Sequence, residues 1–280
     1  MNDSTLDFDV VPSVRTALQE DIGNGDFTAN LVPADRRANA TVTSREAAVV
    51  CGAPWFEQCF RELDPAVEIR WRVKDGAEVA PGDIVCEIGG NARALLTAER
   101  TALNYLQTLS ATATATRRHV RTVAGTAARI YDTRKTVPGL RVAQKYAVRV
   151  GGGHNHRMGL YAGVLIKENH IAVAGGIPQA LRAAEAMTPV GIPLQIEVES
   201  RRELEAALAA GARLILLDNF SVDQIRDAVA ITAGRAELEA SGGITLDNLR
   251  EVAETGVDRI SIGSLTKDVK AIDLSMRVSC

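Results

Sequence analysis

Positive charge is concentrated in the segment from residue 130 to residue 170. The whole chain carries 32 Lys and Arg against 35 Asp and Glu, a formal net charge of −3. Within this segment, however, ten basic or potentially basic side chains stand against two acidic ones, Asp132 and Glu168. So much like charge in one stretch predicts a pocket for a strongly anionic ligand. The basic residues are Arg134, Lys135, Arg141, Lys145, Arg149, His154, His156, Arg157, Lys167 and His170.

Further polar residues recur at the ends of short apolar runs along the second half of the chain. Buried parallel strands are typically continuous apolar runs, and α/β barrels carry their chemistry just beyond the carboxyl ends of such strands. If these runs are strands, one rim collects cations, then carboxylates, then small residues with free backbone N–H groups. The groups in chain order are 132–135 (DTRK), 167–170 (KENH), 197–200 (EVES), 218–220 (DNF), 241–243 (SGG) and 263–264 (GS).

The cationic and acidic groups on this rim suit different ligands. Arg134 and Arg157 can clamp carboxylates with two parallel hydrogen bonds, whereas a lysine supplies a point charge to phosphate or carboxylate. Glu197 and Asp218 suit either a Mg²⁺ ion that keeps several waters and is shared with phosphates, or hydrogen bonds to sugar hydroxyls. Each carboxylate taken alone could equally be a local cap, and Lys167 alone could be a surface residue.

The last two groups are typical of phosphate binding. Ser241-Gly242-Gly243 and Gly263-Ser264 each open a predicted helix, where backbone N–H groups can hold an anion. His154 and His156 lie two residues apart, but no Cys or third His is near enough in sequence to favour a metal site. The glycine run 151–153 could simply end a helix.

Two types of element pattern divide the chain, and we predict an α/β protein with two domains. Residues 1–110 mix helices with strands that alternate apolar and polar residues, which indicates an α+β sandwich domain. A stretch without Pro or Gly at 92–124 predicts a long helix that links this domain to the next. The remaining predicted elements of the first domain are helices at 9–22 and 53–63 and strands at 38–50, 67–73 and 83–88.

Residues 111–280 alternate strands and helices, and the C-terminal segment could pack back on the first domain. Strand starts recur at intervals of 20 to 30 residues from residue 163 onward. That alternation predicts a parallel sheet, and the absence of a reversal signal favours an incomplete α/β barrel over an open sheet. The predicted strands are 128–132, 163–167, 193–198, 213–218, 236–240 and 258–262, with helices such as 201–210 and 222–233 between them.

Composition excludes several classes of function. A sequence pI of 5.9 and 4% aromatic residues argue against nucleic-acid binding. No apolar run is long enough for a membrane span, and the acidic N-terminus does not resemble a secretory signal. The four cysteines, Cys51, Cys59, Cys86 and Cys280, form no C-x-x-C pair and no disulfide framework. We therefore expect a cytoplasmic protein.

Nine segments resemble the quinolinate phosphoribosyltransferases, also called nicotinate-nucleotide pyrophosphorylases (carboxylating), and the resemblance runs in order from about residue 9 to residue 278. The resemblance implies an N-terminal sandwich and an incomplete barrel of fewer than eight strands. It also implies that quinolinate and 5-phosphoribosyl 1-diphosphate are converted to nicotinate mononucleotide, diphosphate and CO₂, with Mg²⁺, in NAD biosynthesis. The segments are EDIGNGDFT, ERTALNYLQTLS, DTRKTVPGLR, GGGHNHRMGL, VLIKENH, IEVES, LLDNF, EASGGI and ISIGSLT.

The resemblance also implies roles for individual residues. Glu197 and Asp218 would bind the ribose hydroxyls and the metal, and Lys135 and Lys167 would face the diphosphate. Arg100 would reach in from a neighbouring subunit, because the family forms dimers or larger assemblies with shared sites. The quinolinate carboxylates would be held by Arg134, His156, Arg157 and Lys167, and the 5-phosphate by Ser241, Gly242, Gly263 and Ser264.

Two departures from the family pattern and three alternative functions remain at this point. Ala162 stands where an acidic residue is expected, and Gly263-Ser264 replaces a more usual Gly-Ala; neither removes an implied ligand. The nearest alternative is a paralogous family associated with molybdenum transport operons, against which the intact set of Arg134, His156 and Arg157 argues. The others are a Schiff-base aldolase with Lys167 as nucleophile and a non-catalytic anion sensor.

Overall fold

A computed structural model describes residues 9–279, which divide into two compact units. Unit 1 comprises residues 9–115, Pro138–Gly151 and 269–279, and unit 2 comprises Thr116–Val137 and Gly152–Asp268. The predicted division was a single boundary after residue 110, and it differs from this one. Residues 138–151 belong to unit 1 because Ala143 and Ala147, on one face of the helix they form, join the core of that unit. Cys280 lies outside the described residues.

Unit 1 combines a four-stranded antiparallel sheet with helices. The sheet order is β12-β1-β5-β3, so the last strand of the chain pairs with the first, and β2 and β4 form a separate antiparallel pair. The elements are α1 Val11–Ile22, β1 Arg37–Ser44, β2 Ala48–Val49, α2 Ala53–Leu63, β3 Glu68–Trp71, β4 Glu78–Val79, β5 Ile84–Asn91, α3 Ala92–Thr122, which ends in unit 2, α4 Arg141–Val150 and β12 Leu274–Ser279.

The core of unit 1 forms where α2 and α3 bury their apolar stripes. Trp55, Phe56 and Phe60 are spaced to lie on one face of α2, and all three are at most 2% exposed. The rings of Phe56 and Phe60 are 5.0 Å apart. Leu95 and Leu103 of α3 join the same cluster. Although α3 has 31 residues, no helix within residues 9–279 has the apolar composition and length needed to cross a bilayer.

Unit 2 alternates strands and helices around one parallel sheet. The six strands lie in the order β6-β11-β10-β9-β8-β7. β6, the first strand of this sheet in sequence, pairs with β11, the last strand of the same sheet, while β6 and β7 stay unpaired with each other, so the predicted incomplete α/β barrel is confirmed. The elements are β6 Arg129–Tyr131, β7 Val164–Ile166, α5 Glu168–Ala174, α6 Ile177–Met187, β8 Leu194–Val198, α7 Arg201–Ala209, β9 Leu214–Asp218, α8 Val222–Thr232, β10 Glu237–Ser241, α9 Leu249–Ala253, β11 Arg259–Ser261 and α10 Ser264–Lys267.

The two faces of this sheet differ in polarity, because successive side chains of a strand point to opposite faces. One face is apolar and fully buried, as Ile196 of β8, Ile215 of β9 and Ile260 of β11 show. The other face, here called the inner face, alternates with it and is polar. The register pairs Ser241 with Asp218, Leu216 with Glu197, and Glu239 with Arg259. The expectation of continuously apolar strands is therefore wrong for the inner face, where the polar side chains are collected.

Candidate active site

A cavity of about 430 Å³ opens where the carboxyl ends of the unit 2 strands meet. The inner-face residues of β8, β9, β10 and β11 form its floor, and the segments that follow β6 and β7 form one side. Its walls are therefore contributed by strands that are far apart in sequence. The lining residues are Thr133, Arg134, Lys135, His156, Arg157, Leu165, Lys167, Glu197, Leu216, Asp218, Glu239, Ser241 and Ser261.

The cavity brings together most, though not all, of the residues predicted from the sequence. Gly242, Gly263 and Ser264 do not line it, although they adjoin lining residues in sequence. Arg100 lies on α3 in unit 1, with a side chain that is 60% exposed and 3.9 Å from Glu99. The predicted residues in the lining are Arg134, Lys135, His156, Arg157, Lys167, Glu197, Asp218 and Ser241.

Two guanidinium groups form the cationic side of the cavity. Arg157 Nη1 donates to the carbonyl oxygen of Gly163 at 3.0 Å, which orients the side chain. Partial burial lowers the pKa of Arg157, and the nearby charge of Arg134 lowers it further. Both effects disfavour the charged form of Arg157, and an anion placed between the two guanidinium groups would reverse them. The geometry is therefore that of an anion site.

The loop that carries His156 and Arg157 is anchored to the end of β6 by a buried carboxylate. Asp132 is fully buried, and its oxygens accept hydrogen bonds from the Asn155 side chain at 2.6 Å and from the His156 backbone N–H at 2.8 Å. His154 N also donates to Ile130 O at 2.8 Å, which extends the strand pairing to this loop. The loop is thus held by hydrogen bonds at several points.

Both ring nitrogens of His156 have partners within the protein. Nδ1 lies 2.9 Å from the backbone N of Arg157, and Nε2 lies 2.9 Å from Gln195 Oε1. The ring is only 14% exposed. In this arrangement neither nitrogen is directed at a ligand, and the carboxylate-binding role that the resemblance implies for His156 stays a prediction.

Glu197 and Lys167, which both line the cavity, form an ion pair. Lys167 Nζ lies 2.8 Å and 3.1 Å from the two carboxylate oxygens of Glu197, whose side chain is 7% exposed. Burial raises the pKa of Glu197, and the charge of Asp218 adds to this, while Lys167 opposes it. Two carboxylates that face one cavity and repel each other favour a cation or hydroxyl donors between them.

Two glycines near the cavity have close neighbours, which at Gly242 include the backbone of Asn219. Gly242 has φ +97°, and a Cβ there would lie 2.1 Å from Asn219 Oδ1 and 2.9 Å from Asn219 N. At Gly263 a Cβ would lie 3.1 Å from the Lys135 side chain, so its absence leaves room for that lysine. Thr266 Oγ1 donates to Lys135 O at 2.8 Å and holds the lysine backbone. Ser264 is the first residue of α10, a single turn.

Sequence reasoning missed two buried polar residues beneath the cavity, Gln195 and Glu239. Gln195 is 3% exposed and Glu239 is fully buried. Each lies two residues before a predicted site residue and on the same face of its strand: Gln195 before Glu197 on β8, and Glu239 before Ser241 on β10. The period of two within each strand was the signal that could have found them.

Comparison with known proteins assigns the chain to a family. Residues 26–110 match the N-terminal domain, and residues 112–277 the C-terminal domain, of the family described as quinolinate phosphoribosyl transferase. The nicotinate-nucleotide pyrophosphorylase (carboxylating) of Mycobacterium leprae is 43% identical over 281 residues, 98% of this chain and 99% of that protein. Quinolinate phosphoribosyltransferase (decarboxylating) 2 of Nicotiana glauca is 38% identical over 97% of this chain and 82% of its own length.

A solved structure agrees with this assignment. The nicotinate-nucleotide pyrophosphorylase of Francisella tularensis has a TM-score of 0.94 and 43% identity, covering 99% of this chain and 100% of that one. Both domain matches, the identities over nearly the whole chain and the shared fold lead to one conclusion. The chain belongs to the quinolinate phosphoribosyl transferase family.

Proposed function

We propose that this protein transfers a phosphoribosyl group from 5-phosphoribosyl 1-diphosphate to quinolinate with loss of CO₂, giving nicotinate mononucleotide and diphosphate in NAD biosynthesis. The observation that carries the proposal is the division of one cavity between paired guanidinium groups and paired carboxylates. Family membership and the names of the relatives support it. The chemistry then follows from what each side can bind.

The cationic side suits a small dicarboxylate. Arg134 and Arg157 each offer a planar fork that matches a carboxylate, and binding one would relieve the mutual repulsion of the two cations. Lys135 lies on the same strand end and can contribute charge to the diphosphate. Lys167 lines the same cavity as the two arginines and the two carboxylates, so it could contact either substrate.

The acidic side suits the ribose and Mg²⁺. Among residues 9–279, no three His, Cys, Asp or Glu side chains converge into a protein-only metal site. Glu197 and Asp218 fit instead a Mg²⁺ that keeps waters and is completed by substrate oxygens, because both supply hard oxygen ligands in one cavity. When bound, the metal would neutralise charge on the departing diphosphate. Lys167 would then have to share or release the Glu197 carboxylate.

The reaction needs positioning and electrostatic stabilisation more than a protein nucleophile. The pyridine nitrogen of quinolinate attacks the anomeric carbon of the ribose as the bond to diphosphate breaks, through a cationic, oxocarbenium-like state. Ribosylation makes the ring nitrogen positive, which stabilises the electron pair left on the adjacent ring carbon when CO₂ departs. That carbon then takes a proton from solvent. The protein has to hold two polyanions together in the correct orientation, which the charged cavity walls can do.

Two of the alternative functions conflict with particular contacts. A Schiff-base enzyme needs a lysine amine that is free to attack a carbonyl carbon, whereas Lys167 Nζ hydrogen-bonds to both carboxylate oxygens of Glu197. The molybdenum-associated paralogues are expected to vary the carboxylate clamp, whereas Arg134 and Arg157 both line this cavity. An anion sensor would bind the same ligands without releasing diphosphate, and turnover distinguishes it.

We further propose a homodimer or larger assembly in which Arg100 completes the site of a neighbouring copy. The Arg100 side chain is 60% exposed, so it is available to a second chain. Mixing Arg100→Ala with Lys167→Ala chains should restore part of the activity that each variant lacks, because one of the mixed sites is then intact. Mixed samples without any recovery would count against shared sites. A cytoplasmic location, expected from the sparse cysteines, stays a prediction.

The deciding experiment measures diphosphate and CO₂ release from quinolinate, with and without 5-phosphoribosyl 1-diphosphate and Mg²⁺. We expect both products only when all three components are present. Nicotinate, which lacks the second carboxylate, is the matched control substrate and should react poorly. Tight binding of both ligands without product would instead support the anion sensor.

A further inference from the structure

A continuous chain of hydrogen bonds runs beneath the cavity from a buried carboxylate to the cationic side. Glu239 Oε2 accepts from Gln195 Nε2 at 3.1 Å, and Gln195 Oε1 lies 2.9 Å from His156 Nε2. His156 Nδ1 in turn lies 2.9 Å from the backbone N of Arg157. The chain therefore joins three strands or loops and ends at a proposed substrate-binding residue.

The donor and the acceptor of each hydrogen bond in this series follow from the groups at its two ends. The Arg157 backbone N–H can only donate, so His156 Nδ1 is the acceptor and carries no proton. The neutral imidazole then carries its proton on Nε2, which donates to Gln195 Oε1. Rotating the Gln195 amide by half a turn would place N–H against N–H at His156 and oxygen against oxygen at Glu239. The carboxylate of Glu239 thus selects one orientation of the whole chain.

Burying the carboxylate of Glu239 costs desolvation free energy, so packing alone does not explain this residue. Its side chain is fully buried, and its Oε1 accepts no hydrogen bond while lying 3.7 Å from His156 Nε2. Desolvating a carboxylate with a free acceptor oxygen is unfavourable compared with an apolar residue of similar size. Arg259, its partner in the β10–β11 register, supplies a compensating charge.

We propose that Glu239 and Gln195 are positioning residues that hold His156 as its Nε2–H tautomer, so that His156 orients Arg157 for the dicarboxylate substrate. This assignment rests on the proposed function for the identity of that substrate. His156 then acts on Arg157 through the backbone N–H of that residue. The loop has two anchors, Asp132 directly and Glu239 through Gln195.

The tautomer can be read without any turnover. A proton–nitrogen correlation spectrum of the imidazole nitrogens distinguishes Nε2–H, Nδ1–H and imidazolium forms, and His156→Ala identifies the signals among the four histidines. We expect the Nε2–H form for His156 at neutral pH in the native protein, and loss of its predominance in Gln195→Met, which removes the acceptor of Nε2–H. A predominant Nδ1–H or imidazolium form in the native protein would overturn the proposal even if the enzyme is fully active.

Kinetics provide the second test. Gln195→Met removes both hydrogen bonds at similar side-chain volume and should raise the KM for quinolinate about 10- to 100-fold, as expected when a binding group is misplaced. The KM for the phosphoribosyl donor should not change. Glu239→Met leaves Gln195 Nε2 without its acceptor and should raise the KM for quinolinate in the same way. Glu185→Gln, at an exposed position of α6, is the control and should leave both KM values unchanged.

Non-additivity tests the proposed route through His156. If Gln195 acts only through His156, Gln195→Met should add nothing to the KM of His156→Ala. An added effect in that background, or equal rises in both KM values, would overturn the proposal. If the native protein releases no diphosphate, the proposed function fails, while the imidazole spectrum still decides the positioning chain independently.

Discussion

The Lys167–Glu197 ion pair makes a prediction that separates stability from activity. Glu197 has a side chain that is 7% exposed, and both of its oxygens accept from Lys167 Nζ; the Lys167 side chain is 44% exposed. Replacing Lys167 by Met leaves a buried carboxylate without its partner. Replacing Glu197 by Gln leaves an ammonium that can turn into water. The two single variants should therefore differ in stability although they remove the same contact.

The magnitudes follow from this difference in exposure. Breaking a fully buried ion pair by removing one partner costs about 3–5 kcal/mol, and exposed pairs contribute about 0–1 kcal/mol. Because water reaches the pair from the lysine side, we expect Lys167→Met to cost about 1–3 kcal/mol of the free energy of unfolding. Glu197→Gln should cost about 0–1 kcal/mol. The double variant should resemble Glu197→Gln, so that the coupling energy equals the cost of Lys167→Met, about 1–3 kcal/mol.

The penalty should also depend on pH in a defined direction. Burial already raises the pKa of Glu197 above its ordinary value, and Lys167 is the main influence that lowers it. Without Lys167 the folded pKa rises further, so the folded state binds a proton that the unfolded chain releases. The stability difference between the native protein and Lys167→Met should therefore grow as pH rises through the raised pKa of Glu197 in the native protein, and become constant once Glu197 is ionised in both folded proteins.

The assay is urea unfolding followed by far-UV circular dichroism, paired with diphosphate release. Tryptophan fluorescence is unsuitable because Trp55 and Trp71 both lie in unit 1. All three variants should lose diphosphate release by orders of magnitude, and the double variant should regain stability without activity. Equal stability of the native protein and Lys167→Met at every pH, or strictly additive losses in the double variant, would refute the reasoning.

Three further predictions test separate parts of the site. Gly242→Ala should destabilise the protein by about 2–4 kcal/mol, read from the urea midpoint, because a left-handed φ and contact with the Asn219 backbone both oppose a Cβ. Arg157→Lys should raise the KM for quinolinate about 10-fold, since lysine keeps the charge but not the bidentate fork; an unchanged KM would contradict it. Asp132→Asn should lower the free energy of unfolding by about 1–3 kcal/mol, because one of its two acceptor oxygens becomes a donor facing the His156 or Asn155 N–H. An unchanged free energy of unfolding would show that Asp132 does not anchor the loop.

Elements with strong local periodicity could be predicted to within a residue or two. The helix predicted at 53–63 is Ala53–Leu63, and the strand predicted at 213–218 is Leu214–Asp218. Both patterns depend on side chains that face one core, and that signal is contained in consecutive residues. The strand Leu274–Ser279 was not predicted, because its partner is β1, more than two hundred residues earlier, and its own six residues carry no comparable signal.

The burial of individual polar residues, by contrast, could not be predicted from the sequence. Glu239 and Gln195 read in the sequence as ordinary polar residues of a half-solvated strand. They are buried because other strands of the sheet and the loop that carries His156 pack against them. No local pattern distinguishes a carboxylate that faces water from one that a fold encloses, since the difference lies in what packs against it.

The sequence alone determined the family resemblance, the alternation of strands and helices along unit 2, and the type of residue at the end of each strand of that unit. Local spacing and residue chemistry are sufficient for those conclusions. The tertiary structure decided which of these residues share a cavity, that Glu197 is already paired with Lys167, and that both nitrogens of His156 are engaged. These depend on the register between strands and on burial, which are set by contacts between residues distant in the chain and therefore cannot be read from neighbours in sequence.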